Sequence, residues 1–436
     1  MKMKTKASLL IGIFALAMVF GIFTMIIAPI RADPGTFTVS PSGGDDTGAI
    51  QQAFEDAKAA GPGSTVQLTA GQFYTNATFV ENFYGTFKGA GKDLTTIDVL
   101  KGIYPEEGGV VGPYGNHLFT FEGGDICISD LGFEITPEKP AGLSYDGTYD
   151  LFTILITGEI NSRIERVKLT GHEGDQSGYP VGHPLSEKTY NVRLGVEYMA
   201  CLNGKHTFTK CEFDSLWLGI TVWMVMNCEL TITSNSIKGG AIGIINAIND
   251  NSKFEISSNY IETTYFGGIW AIQDLPVASA SQWLITHNTI KVLSSDSDGI
   301  FLADFLSFKS LEVVVSNNEI TLNDANWGGI WTFGLEDAFI YRNVIRGAGL
   351  YGIGCVFISD SLILSNKISN SENNGMNFFQ ASNNLILGNY IRNNGGWGLF
   401  MAGSNDNCIA VNLFYNNALG NIYDDGINKY KWNIQF

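Results

Sequence analysis

Eight short stretches decide the fold: ITSNSI (232–237), ISSNYI (256–261), ITHNTI (285–290), VSNNEI (315–320), IYRNVI (340–345), ILSNKI (363–368), ILGNYI (386–391) and IAVNLF (409–414). All share an aliphatic residue three before an asparagine and an apolar residue two after it. The asparagines Asn235, Asn259, Asn288, Asn318, Asn343, Asn366, Asn389 and Asn412 recur at intervals of 24, 29, 30, 25, 23, 23 and 23 residues. Working backwards, FTKCEF at Cys211, IERVKL at Val167 and ISDLGF at Leu131 keep the apolar flanks and lose the asparagine, giving eleven copies. A second column follows in most copies, Gly then an apolar residue: Gly219-Ile220, Gly243-Ile244, Gly268-Ile269, Gly299-Ile300, Gly329-Ile330, Gly352-Ile353, Gly375-Met376 and Gly398-Leu399.

A period of 23–25 residues with two short β segments per copy suits one coil of a β-solenoid, where each strand pairs with its equivalent one coil on. Like residues then stack about 4.8 Å apart, and aliphatic columns fill a continuous core. Stacked asparagines at a turn account for the ladder, since Asn tolerates the left-handed conformation and its amide can bond the neighbours above and below. These asparagines are therefore structural. A leucine-rich repeat is excluded by the missing Leu-x-x-Leu-x-Leu signature and by the lack of a helical period. The expected fold is all-β, a right-handed parallel β-helix of about eleven or twelve coils over residues 65–430, with Ile237, Ile261, Ile290, Ile320, Ile345, Ile368 and Ile391 in one buried column.

The stretch before the coils reads differently. Asp46 and Thr47 open GAIQQAFEDAKAA, whose Ile50, Phe54 and Ala57 share one face, so 46–60 is expected as a capped amphipathic helix closing the first coil. At the very start, Lys2, Lys4 and Lys6 precede an uncharged run, 7–30. This is the pattern of an export signal, long enough to remain as a transmembrane anchor. The organisation expected is a signal peptide or anchor over 1–32 and one β-helix domain over 33–436, placed outside the cytoplasm, secreted or at the cell surface.

Composition narrows the partners. Of 436 residues 51 are Gly and only 11 Pro, which favours many tight turns, and 16% are charged, which excludes a coiled coil. The formal net charge of −17 makes nucleic acid a poor partner. The six cysteines, Cys127, Cys201, Cys211, Cys228, Cys355 and Cys408, have irregular spacing and read as small buried hydrophobes, with a Cys201–Cys211 disulfide as the alternative.

DDTGAIQQAFEDAKAAGPGSTVQLTAGQFY (45–74), FKGAGKDLTTI (87–97) and the Asn-x-Ile copies resemble the pectate-lyase-like parallel β-helix superfamily, and the copies with the closing NIYDDGINKYKWN (421–433) resemble the NosD-like group within it. The resemblance covers about 36–436. It implies the fold and leaves function open, because the fold carries lyases, hydrolases and non-catalytic surface proteins. The Asp triad of polygalacturonases and the calcium–arginine site of pectate lyases are not seen, so the resemblance assigns no catalytic residue.

Candidate chemistry comes from the copies that are too long. Extra residues at 136–150, 171–190, 291–298 and 321–328 all fall between a copy's Asn-x-Ile strand and the next Gly column, so they gather on one edge and could wall a groove. Beside that edge, two residues after each Gly, the column reads Glu197, Thr221, Ile245, Trp270, Phe301, Trp331, Gly354, Asn377 and Phe400. Trp270, Phe301 and Trp331 are the expected sugar-stacking ladder and substrate contacts; the competing reading is an apolar face covered by a loop or a second copy, Trp223, Phe333 and Phe379 lying two residues further on. Two of Asp296, Asp298 and Asp324 are the expected acid and base, or the three are calcium ligands, with Asp274 and Asp304 nearby, against the plain reading of turn aspartates. Lys291, or Arg346, would be the base of an elimination. His172, Glu173, Asp175 and His183 share a loop with no zinc spacing, while His117, His206 and His287 stand alone. Asn76-Ala77-Thr78 is a glycosylation sequon. Two functions remain open: a polysaccharide-binding protein acting as lyase or glycosidase, needing no cofactor beyond an optional calcium ion, or a non-catalytic surface or adhesion module, in either case with homo-oligomers as an option.

Overall fold

The computed structural model describes residues 34–100, 117–135, 152–171, 173–174, 189–190, 194–216, 218–240, 242–264, 267–273, 280–293, 297–305, 311–325 and 327–435. They form a parallel β-helix with three strands to the coil. In one coil the strands are Leu218–Trp223, Glu229–Thr233 and Ser236–Lys238. The next coil repeats them as Ile242–Ala247, Lys253–Ser257 and Tyr260–Thr263, paired parallel and in register. First and second strands belong to one sheet of 25 strands, because His117–Ser129 and Phe152–Glu165 run unbroken round the corner between the two faces. The third strands form a separate sheet of 14. Eleven copies in the sequence thus understate the coils. Phe73 and Ile97 stand in the same column ahead of Phe133, and Gln435 follows Phe414 at the far end. The last coil escapes notice in the sequence because its column residue is polar.

Ile237, Ile261, Ile290, Ile320, Ile345, Ile368 and Ile391 are stacked and at most 2% exposed, as expected. The glycine column follows from them. A Cβ on Gly352 would lie 2.2 Å from Ile368 Cγ2 and 2.7 Å from the Gly375 carbonyl, and one on Gly329 would lie 2.3 Å from Ile345 Cγ2. Only a residue without a side chain lets the first strand pass that close to the isoleucine column.

The asparagine ladder is continuous. Asn366 Nδ2 donates to Asn389 Oδ1 (3.0 Å) and to the Ile340 carbonyl (3.0 Å), while its own Oδ1 accepts from the backbone N–H and Nδ2 of Asn343. The same pattern runs from Asn235 to Asn433. One detail differs from expectation. The left-handed residue is not the asparagine but the one before it: Ser234, Ser258, His287, Asn317, Arg342, Ser365, Gly388 and Val411 all have φ between 53 and 66°. The asparagine is needed for its amide, which satisfies backbone groups that the turn withdraws from the sheets.

The helix runs Thr47–Ala60 and buries Ile50, Ala53, Phe54 and Ala57. Phe54 sits among Phe83, Phe87 and Phe121 with ring centroids 5.1–5.9 Å apart. Asp46 precedes the helix without capping it by its side chain; its carboxylate accepts instead from the backbone N–H of Ser42 (2.8 Å) and Tyr74 (3.1 Å), tying the helix to the coil it covers. All six cysteines are free thiols, so the Cys201–Cys211 disulfide is not formed. The thiols are used as donors to carbonyls, Cys201 to Ile156 and Cys211 to Thr209. Among the described residues no helix is long and apolar enough to cross a membrane; the run 7–30 lies outside them.

Candidate binding site

The outer face of the first strands carries the column read from the sequence. Ile245, Trp270, Phe301, Trp331, Gly354, Asn377 and Phe400 are successive register partners. Trp270, Phe301 and Trp331 are half-buried and pack edge to face, with centroids 5.6 and 6.1 Å apart and planes at 64 and 78°. They therefore do not form a flat platform but the wall of a pocket. Trp327, from the insertion at 321–328, lies over Trp331 at 4.9 Å and 33°. A cavity of about 430 Å³ results, within the roughly 300–1,000 Å³ range of small-molecule sites. Two glycines keep it open. A Cβ on Gly267 would stand 2.5 Å from Trp270 Nε1, and Gly354 interrupts the column just beyond Trp331.

Asp298 lines this cavity and opens the strand that carries Phe301. The residue is 5% exposed, and its Oδ1 accepts the Gly328 N–H at 2.8 Å. Burial pushes its pKa up to about 7, only partly opposed by that hydrogen bond. Among the described residues no Lys, Arg or His lines the cavity. The indole N–H of Trp331 is buried without a hydrogen-bond partner among them.

The other candidate residues fare differently. Asp296 and Asp274 lie outside the described residues, as does the side chain of Asp324. Asp304 is buried at the far end of the Asp298 strand, opposite Gln273. Lys291 does not line the pocket. It stands on a third strand, Thr289–Val292, with Nζ 5.2 Å from the Tyr260 ring and 4.0 Å from Glu262. Tyr260, and after it the Glu262 carboxylate, hold the ammonium above its ordinary pKa, which makes it a poorer proton acceptor. Arg346, on the same sheet, is engaged by Glu319 at 2.6 Å. His172, Asp175 and His183 lie outside the described residues, and of Glu173 only the backbone is described.

Sequence reading missed a buried pair. His117 is not isolated: its Nε2 lies 2.9 Å from Glu197 Oε2, both side chains nearly inaccessible. Glu197 belongs to the same outer column as Trp270, and a charged residue in a row otherwise uncharged was the available signal. His206 is likewise partnered by Ser162 at 2.9 Å, and burial lowers its pKa to about 4. Between the His117–Glu197 pair and the pocket, Ile242 and Ile245 are buried with Leu218, Trp223 and Trp270 packed against them, so the side chains of this part of the face bury one another.

A larger groove, about 740 Å³, runs over the second strands between Glu229, Lys253, Glu255, Gln282 and Glu312. Its charged groups answer one another. Lys205 meets Glu229 at 2.9 Å and Gln282 donates to Glu312 at 2.9 Å. They are solvated, so the groove lacks the buried, unanswered group that distinguishes the aromatic pocket.

Residues 271–436 match the family model described as periplasmic copper-binding protein (NosD). No curated protein matches the chain. Among solved structures, a variant of the periplasmic alginate epimerase AlgG is similar over 86% of this chain and 84% of its own, at 13% identity and a TM-score of 0.51, a likeness of fold. DFA-IIIase from Arthrobacter chlorophenolicus A6 matches over 86% and 94% at 10% identity and 0.49, and the mannuronan C-5 epimerase AlgE4 A-module of Azotobacter vinelandii over 92% and 97% at 15% and 0.41. A copper site does not fit the described residues of the matched stretch. Its one histidine, His287, bonds Thr286; Cys355, Met376 and Met401 are in the core, and burial pushes the Cys355 thiol up to about 12, far from the thiolate a copper ion needs. Nor do three His, Cys, Asp or Glu residues converge anywhere among the described residues. The chain is a parallel β-helix protein whose C-terminal coils carry NosD-like repeats.

Proposed function

We infer that the protein binds a polysaccharide outside the cytoplasm, in the pocket formed by Trp270, Phe301, Trp327 and Trp331. The observation that carries this reading is the packing of three aromatic side chains, one coil apart, around a buried carboxyl in a cavity of ligand size. A coil step of about 4.8 Å is close to one sugar residue, so a chain lying along the axis meets successive rings. The periplasmic setting named for the NosD family and for AlgG supports the location, with 1–32 as export signal or anchor.

Of the reactions open to such a site, hydrolysis has the better-placed group. Asp298, with a pKa of about 7, can give a proton to a glycosidic oxygen as the bond breaks, while water supplies the replacement hydroxyl and proton; a second carboxylate would come from Asp296 or Asp324. Elimination loses support because Lys291 and Arg346 stand on another sheet. Calcium has no carboxylate cluster among the described residues to hold it. The structural-module reading rests on a row of rings that runs on from the pocket's rim, Phe305, Phe333, Phe357 and Phe379, in contact at 5.1–6.1 Å and partly exposed, a surface suited to a second copy.

The test is a polysaccharide panel offered to the protein recovered from the extracytoplasmic fraction. Binding should fall at least tenfold in Trp270→Ala with Trp331→Ala, and any turnover should be lost in Asp298→Asn. A wild-type protein found in the cytosol, or binding no glycan, removes the reading.

A further inference from the structure

Resting on the saccharide reading of the pocket, we propose that its ligand carries an ammonium group, as a polysaccharide with free amino sugars does, and that the aromatic walls and the Asp298 carboxylate together form the cation's seat.

Three observations lead there. The first is the cage. Trp270, Phe301 and Trp331 come from consecutive coils, and Trp327 folds over the last of them, so an entering group faces ring surfaces on several sides. Aromatic faces attract a cation most strongly where water is excluded. The second is the carboxyl. Asp298 has one oxygen on the Gly328 N–H and, among the described residues, no cation beside it. A buried carboxylate without a counter-ion is costly, and an ammonium supplies the missing partner. Burial alone holds Asp298 partly protonated near neutrality, so the arriving cation also drives off that proton. The third is what the pocket lacks. A neutral sugar ring brings many hydroxyl groups, yet among the described residues the walls offer Asp298 and a few indole N–H groups and are otherwise hydrocarbon, so its hydroxyls would be stranded. An acidic sugar fares worse, meeting a carboxylate and, among the described residues, no cation, in a protein of net charge −17. The chain of sugars rests on the exposed rim, where Phe305 and Phe333 pack at 5.1 Å, while the ammonium enters the cage.

The experiment is calorimetric titration of the full protein at pH 6.5 with glucosamine hexamer and with the N-acetylglucosamine hexamer of the same length. The amine form should bind at least tenfold tighter, and repeating the titration in buffers of different ionisation enthalpy should show a fraction of a proton released. Asp298→Asn should erase both the preference and the proton release, leaving weak binding equal for the two; Trp331→Leu, which keeps Asp298, should weaken the amine form more than the acetylated one. Equal or tighter binding of the acetylated hexamer by wild type overturns the cation and leaves the saccharide reading standing. A turnover defect in Asp298→Asn with the amine preference intact does the same and assigns Asp298 to acid catalysis. Failure to bind any oligosaccharide overturns both.

Discussion

Asp298 is the residue at which sequence and structure part most instructively. In Ser-Ser-Asp-Ser-Asp-Gly its two aspartates look alike, and only the cavity behind Asp298 distinguishes it. Its raised pKa fixes the sign of a stability effect. Between the ordinary carboxyl value of 3.8 and about 7 the folded state holds a proton that the unfolded state has released. Stability is therefore fullest below that window and falls as pH rises through it, with the whole penalty present above 7. Asparagine keeps an oxygen for the Gly328 N–H and carries no charge. Asp298→Asn is expected to melt a few degrees above wild type at pH 8 and to lose that advantage at pH 4. An equal shift at both pH values in thermal unfolding would show that the carboxylate is not buried alone.

At the scale of the strand and turn, most of the design was legible because the coil repeats it. The Asn-x-Ile and Gly columns are visible as spacing, and the contact between them, Gly352 against Ile368, shows that the two columns are one steric arrangement. The turn conformation was placed one residue late, since the left-handed position accepts Ser, His, Arg or Val and so leaves no residue-type signature. The aromatic ladder was legible from register alone. Trp327 and the His117–Glu197 pair were not, because their partners are set by how insertions fold back and by contacts 80 residues apart. The ladder itself makes a direct prediction. Removing the Asn366 amide leaves the backbone N–H and Nδ2 of Asn343 without their acceptor, and Asn389 Oδ1 and the Ile340 carbonyl each without one donor. Asn366→Ala should cost about 3 kcal/mol in denaturant unfolding, the sum of buried groups left unpaired. A loss below about 0.5 kcal/mol would mean that water replaces the amide.

The molecule as a whole is quasi-one-dimensional: each coil touches the coils before and after it, and the acidic surface surrounds a single continuous core. That geometry lets insertions collect on one edge without disturbing the stack, which is why a pocket can form from residues 270 to 333 between coils of minimal length. It also means that damage should stay local. The helix Thr47–Ala60 closes one end, and Phe54, fully buried among Phe83, Phe87 and Phe121, is the side chain that plugs it. Phe54→Ala should cost about 3–5 kcal/mol at that end, by lost burial and by the cavity left behind. In native-state hydrogen exchange the loss of protection should centre on Ser64–Leu68, Thr78–Lys88 and their neighbours, while Tyr351–Val356, Asn374–Phe379 and Trp397–Ala402, some ten coils away, keep theirs. The physical reason is that opening the first coils breaks only the interface with the next coil, and the remaining stack retains all of its own pairings. A uniform fall in protection across every coil would instead show that the solenoid unfolds as one cooperative unit, and the pocket's stability would then depend on a helix far along the axis.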